Sequence, residues 1–338
     1  MSHPVLSRVL GAAAILGVAL SPTGPAAADA EVVWRQATEQ PPDSLEGLGH
    51  QKFAELVKEY SGGRMEIQIF PSEQLGSKDA VIDQLAAGTI HIYNSTASYL
   101  QKWEPAIKFI SAPFLFESRD HWARFMETDL VKGWIRTVEE KGGITLIGNY
   151  VSWPRGSYRV MVSQKPINSL ADVQGLKLRM HPDKLAVAAW TNLGAEVRVL
   201  GWTDVYESLG RGIVEAVNSP AAMVEPMKFY EHAGYITRHE EYHQSVGYMA
   251  NAEAYHGLPA DLRDAVDRAH ADSGAYEAQL LAENTQKSLD RVLAQGVQYS
   301  EALDRGPFIE AMARYYMAEA EAGQLPEGFL EAVEEARQ

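Results

Sequence analysis

Apolar and polar positions alternate with periods that change along the chain, and each change marks an element. Glu31-Val32-Val33-Trp34-Arg35-Gln36-Ala37-Thr38 reads as a buried first strand. After Pro41-Pro42-Asp43, Ser44 stands as an N-cap, and Phe53, Leu56, Val57 and Tyr60 fall three and four apart, the face of a helix that Ser61-Gly62-Gly63 stops. Met65 to Phe70 has the two-residue period of a strand with one buried face. A helix over Lys78 to Ala87 ends at Gly88 and leads to a short strand, Ile90 to Tyr93. The unit then recurs. Strands are expected at Ile144–Gly148, Tyr158–Val162, Leu176–Met180, Glu196–Leu200 and Ile213–Val217, with helices at Lys184–Asn192 and Thr203–Gly210. From Pro259 to Arg337 the pattern is almost wholly helical. Such alternation argues for an α/β fold of mostly parallel sheets covered by helices. The absence of a low-complexity linker after residue 30 argues that the chain crosses between two lobes more than once.

The first thirty residues differ in kind. Arg8 precedes the uncharged run Val9 to Leu20, and Ala26-Ala27-Ala28-Asp29-Ala30 offers small-residue cleavage points after Ala28 or Ala30. This is the pattern of a secretory signal peptide. The run is too short to span a bilayer. The mature protein is therefore expected outside the cytoplasmic membrane, in the periplasm.

Composition narrows the chemistry. With 338 residues, 46% hydrophobic and 22% charged, the chain can bury a sizeable core unaided. It has no cysteine, which excludes disulfides, thiolate metal sites and a lipidated N-terminal cysteine. A formal charge of −15 argues against nucleic acid as a partner but leaves room for a small anion in a locally positive pocket.

No phosphate-cradling glycine loop and no nucleophile elbow occur. His239-Glu240-Glu241-Tyr242-His243 does fit the H-E-x-x-H pattern of zinc hydrolases. That chemistry needs a helix, so that both histidines converge on one zinc. The flanking segments read as extended, and on a strand residues four apart lie roughly 13 Å from each other. A secreted zinc hydrolase using His239 and His243 is thus a rival in another class, and neither metal nor cofactor is expected. The arginines carry more information. Arg159 interrupts an apolar strand, and Arg179 ends the strand Leu176-Lys177-Leu178. A guanidinium at a strand's C-terminal end faces the crevice where open α/β sheets bind ligands, and its fork matches a carboxylate. Trp202, before Thr203-Asp204, reads equally as core or as a pocket wall, and Asn218-Ser219 as a helix cap or a ligand contact.

At this point the residues become recognisable. Phe53-Ala54-Glu55-Leu56-Val57, Ser61-Gly62-Gly63-Arg64, Phe70-Pro71-Ser72-Glu73-Gln74-Leu75-Gly76, Ala112-Pro113-Phe114-Leu115-Phe116, and Gly175 to Arg179 with Leu193-Gly194-Ala195 and Trp202 to Tyr206 follow one another in order. Over residues 32–270 the chain resembles the DctP-like substrate-binding proteins of tripartite ATP-independent periplasmic (TRAP) transporters. The resemblance implies a two-lobe periplasmic binding protein with a ligand cleft between the lobes and a helical C-terminal region. Its expected division is lobe I from 31–156 plus 245–284 and lobe II from 157–244 plus 285–338. It implies that the protein is no enzyme but a monomer that delivers a small organic acid to small and large membrane subunits, or in an alternative role presents it to a receptor. The ligand could be a dicarboxylate, sugar acid, hydroxy acid or zwitterion. Arg179 would take the carboxylate, supported by Arg159, while Trp202, Glu39 and Thr96 fall on cleft positions. Glu39 suits a ligand with a cationic or hydroxyl-rich end. The family's V-D-G-x-E-N-P becomes Val214-Glu215-Ala216-Val217-Asn218-Ser219-Pro220 here, so Ser219 replaces an asparagine and the contact is shortened or passes to Asn218. The Glu-Trp pair of metal-assisted family members is missing.

Overall fold

The computed structural model describes residues 30–337; all but the last residue of the segment expected to be a signal peptide lies outside the described residues. The strands are β1 (Val32–Thr38), β2 (Met65–Phe70), β3 (Ile92–Ser95), β4 (Ile144–Leu146), β5 (Arg159–Ser163), β6 (Lys177–Met180), β7 (Glu196–Val199), β8 (Ala216–Pro220), β9 (Tyr235–Arg238), β10 (Gly247–Asn251) and β11 (Gln298–Ser300). They form two sheets, ordered β2-β1-β3-β10-β4 and β11-β9-β5-β8-β6-β7. Each is mixed rather than nearly all parallel. β10 runs antiparallel to both neighbours in the first sheet, and β5 does so in the second.

Local signals act as the sequence suggests where side chains meet only their own element. The Ser44 hydroxyl accepts from Gly47 N at 3.0 Å and starts the helix Leu45–Tyr60, which buries Phe53, Leu56 and Val57. Two strands slide from their expected positions. β3 begins two residues late and β8 three, because both are buried on both faces and carry no alternation to fix their ends. The C-terminal stretch is not helical throughout. After the helix Ala260–Leu293 the chain adds β11 beside β9, with Gln298 opposite Tyr235, before the helices Gly306–Glu321 and Phe329–Glu335.

Sheet membership shows how the chain divides. Strands from 32–146 and 247–251 build the first sheet, and those from 159–238 and 298–300 the second. Between them run two crossing segments, Trp153 to Arg159 and His239 to Val246. These lie side by side: Pro154 bridges Ser245, Arg155 N donates to Gln244 O (3.0 Å) and Val246 N to Trp153 O (2.9 Å). The long helix packs its first half on the helix Leu45–Tyr60 and buries Leu289 and Val292 with Val160, Trp202 and Phe229 in the second lobe. The expected assignment of all of 285–338 to the second lobe needs correction. Phe329, fully buried, packs on Phe109, Phe125 and Trp134 of the first lobe, and Arg124 Nε donates to Ala336 O (2.7 Å). The apolar face of these aromatics is what draws the tail back.

Phe329→Ala should therefore destabilise the protein by about 3–5 kcal/mol, the usual cost of emptying a buried phenylalanine site; the denaturant midpoint measures it. Acid should destabilise it too. Burial holds the pKa of His270, packed on Trp153 and Tyr248, down to about 4. The unfolded chain, with His near 6.5, then binds the proton first, so stability is full above about pH 6.5 and falls as pH drops towards 4. Melting curves across that range should show the decline, and His270→Asn should make it shallower, the other buried histidines contributing the rest.

Candidate functional site

The crossing segments and the facing ends of the two sheets enclose a small cleft. Its lining includes Glu39, Tyr99, Arg155, Arg159, Arg179, Trp202, Asn218 and Tyr242. The lobes meet over it. Lys78 Nζ donates to Pro182 O at 3.1 Å, the Thr203 hydroxyl to a Glu73 carboxylate oxygen, and the rings of Tyr99 and His181 lie 5.8 Å apart.

Arg179 stands at the end of β6, as its position in the sequence suggests, with its side chain 4% exposed as a residue. Nε and Nη2 both donate to the carbonyl of Leu200, at 3.1 and 2.8 Å, which leaves Nη1 without a partner among the described residues. Its guanidinium lies 5.3 Å from the centre of the Trp202 ring. Burial lowers its pKa, against the opposing pull of Tyr99 and Glu39, yet an arginine remains a cation at any working pH. It is thus a buried positive charge steered by a neutral carbonyl.

The other two arginines are compensated. Arg159 is gripped by Glu241, with Nη2–Oε1 2.8 Å and Nε–Oε1 3.1 Å, and lies 4.5 Å over the Tyr242 ring. The other oxygen of Glu241 accepts from Trp190 Nε1 (2.8 Å) and Asn218 Nδ2 (2.6 Å). One carboxylate, 1% exposed, therefore fixes an arginine, an amide and an indole at once. Arg155 pairs with Glu46, Nε–Oε2 3.2 Å, and that pairing together with Glu39 offsets its burial and raises its pKa. Glu39, carried just beyond β1, accepts at Oε1 from Tyr93 (2.6 Å) and Ser95 (3.2 Å).

Of the residues singled out in the sequence, Arg179, Arg159, Trp202, Asn218 and Glu39 come together in this cleft. Trp202 is core and wall at once. Its ring meets Phe229 edge-on at 5.1 Å, and its Nε1 is buried without a partner among the described residues. Ser219 and Thr96 do not line the cleft. The Ser219 hydroxyl donates to Pro220 O (2.9 Å), since alternation along β8 turns it away from the face that Asn218 presents. Thr96 caps the 3-10 helix Ala97–Lys102 and meets Tyr150 OH at 3.3 Å. Asn218, not Ser219, reaches the cleft.

Reading motifs missed Arg155, Tyr242 and Glu241. The first two come from the crossing segments, whose position only the fold reveals. Glu241 sits inside the apparent zinc motif, and that motif here serves a different end. Residues 239–244 are not helical. His239 is engaged at both nitrogens, Nε2 3.0 Å from Asn218 Oδ1 and Nδ1 3.3 Å from Arg159 O, and burial holds its pKa near 4. His243 lines a separate chamber with Arg119, Ser157 and Glu240. Among the described residues, no group of three or more His, Asp or Glu side chains is placed to hold a metal. The cleft presents buried charge and hydrogen-bonding groups.

Comparison with known proteins agrees with that chemistry. The family model for the bacterial extracellular solute-binding protein, family 7 (DctP), matches residues 36–322. The 2,3-diketo-L-gulonate-binding periplasmic protein of Escherichia coli is 25% identical over 292 residues, 86% of this chain and 88% of that one. Two TRAP periplasmic solute-binding proteins of Roseobacter denitrificans are similar in structure. One, with bound L-galactonate, has a TM-score of 0.81 at 25% identity and covers 92% of this chain and 100% of its own. The other, with bound β-D-glucuronate, has a TM-score of 0.80 at 27% identity, covering 89% and 98%. A two-lobe α/β fold, a cleft built around an arginine and a match across most of the sequence lead to one conclusion: this chain belongs to the DctP family of bacterial extracellular solute-binding proteins, the substrate-binding components of TRAP transporters.

Proposed function

We propose that this protein captures a hydroxylated small acid of the sugar-acid class in the periplasm and delivers it to the small and large membrane subunits of its transporter. One observation carries the reading: Arg179 is buried in the cleft with a neutral carbonyl as its partner and a donor to spare. A ligand carboxylate supplies the missing counter-charge and accepts from the free edge of the guanidinium. Charge-assisted bonds of this kind are about twice as strong as neutral ones.

The remaining lining suits hydroxyl groups. Trp202 Nε1 and Tyr242 OH are buried without partners among the described residues, and Asn218 is held in place by Glu241 and His239. The relatives named above are described as binding 2,3-diketo-L-gulonate, L-galactonate and β-D-glucuronate, acids whose remaining oxygens call for such partners. Arg159 acts as a fixed wall, its own charge already met by Glu241. Closure follows from the same contacts. Arg179, Trp202 and Asn218 belong to one lobe, and Glu39 and Tyr99 to the other. A ligand touching both binds the closed form more tightly than the open one, and only such a difference shifts the equilibrium.

Arg179→Ala should weaken binding of a sugar acid about a hundredfold or more, the scale of truncating one partner of a buried charged pair. Arg179→Lys, which keeps charge but loses the fork, should fall between it and the native protein. Calorimetric titration measures both, and native-like binding by Arg179→Ala would overturn the reading. Export supplies a second check. Protein recovered from the periplasm should begin at Asp29 or Glu31 on N-terminal sequencing.

A further inference from the structure

Charge in the cleft is unevenly paired. Arg155 has Glu46 and Arg159 has Glu241, whereas Arg179 has no carboxylate within ion-pair distance among the described residues. Across the cleft stands Glu39, buried and clamped at Oε1 by Tyr93 and Ser95, with no protein donor to Oε2 among the described residues. Tyr93 is itself fully sequestered on β3, so this carboxylate cannot swing aside when a ligand arrives. The far end of a ligand anchored on Arg179 meets a fixed, acceptor-only group.

A hydroxyl satisfies such a group by donating to it. A second carboxylate or a phosphate brings negative charge against it among buried side chains, where repulsion is screened less than in bulk water. The three aromatic rings of the lining each already carry a protein cation: Arg179 over Trp202 (5.3 Å), Arg159 over Tyr242 (4.5 Å) and Lys78 over Tyr99 (4.6 Å). His181, in the same lining, reports the field: burial first, then Arg179, Arg159, Lys78 and Arg155 hold its pKa well below the usual value. Asp183 does not alter this balance, since its carboxylate caps the helix Lys184–Asn192 through Leu185 N and Ala186 N.

We propose that Glu39 is the specificity-determining residue of the cleft, admitting acids with one carboxylate and a hydroxylated far end and rejecting those with a second anionic group there. The proposal rests on the sugar-acid reading above and narrows it.

The test varies one terminus on a constant skeleton. The mature protein is titrated with L-galactonate and D-glucuronate and with the aldaric acids galactarate and glucarate. The diacids should bind at least tenfold more weakly than the better monoacid. Glu39→Gln keeps a carbonyl acceptor for Tyr93 and Ser95, and its melting temperature checks the fold. It should narrow the monoacid-to-diacid ratio to within about threefold. Diacids binding native protein as tightly as monoacids, or an unchanged ratio in Glu39→Gln, would overturn the role of Glu39 while leaving the sugar-acid reading in place. Failure of every monoacid to bind would instead overturn that reading itself.

Discussion

Three guanidinium groups are taken out of water between two sheets, and much of the structure is arranged around that constraint. A buried charge is tolerated only when it is paired or fully hydrogen-bonded. Glu46 reaches from the helix Leu45–Tyr60 to answer Arg155, and Glu241 reaches from a crossing segment to answer Arg159. Arg179 receives the Leu200 carbonyl and a tryptophan face, enough to steer it and too little to neutralise it. The asymmetry separates arginines that hold the fold together from the one whose charge no carboxylate meets among the described residues.

Glu241 shows how such a constraint spreads. It collects donors from β5, from β8 and from the helix Lys184–Asn192, so three elements of the second lobe share one buried carboxylate. Its neighbour Glu240 turns the backbone through positive φ (46°), a conformation that costs of order 1–3 kcal/mol for a non-glycine residue, and is tied down by Arg238 and Arg305. The sequence motif that suggests a metal hydrolase is thus a backbone turn aimed at placing one acid.

How much of this was legible beforehand follows from where each signal lives. Amphipathic helices with side-chain caps, such as Leu45–Tyr60 under Ser44, declare themselves because periodicity and cap are local. β3 and β8, buried on both faces, have no period to read, and their ends were misplaced. β11 was missed because three residues between helices carry almost no pattern. In the cleft, Arg179 stands at a strand end, where a crevice is expected, and the family resemblance is what singles it out among the arginines. Arg155 lies in a segment whose meaning depends on the opposite segment, ninety residues on, and no local pattern announces that pairing. Between Ser219 and Asn218, which the departure from the family pattern leaves open, the alternation of the strand turns Asn218 to the cleft.

Arg155, Arg159, Tyr242 and Gln244 stand on the very segments that join the two lobes. The cleft is thus lined in part by the connection itself, while Lys78 with Pro182 and Thr203 with Glu73 bridge the lobes elsewhere. A molecule lodged there would touch each half and the seam between them at once.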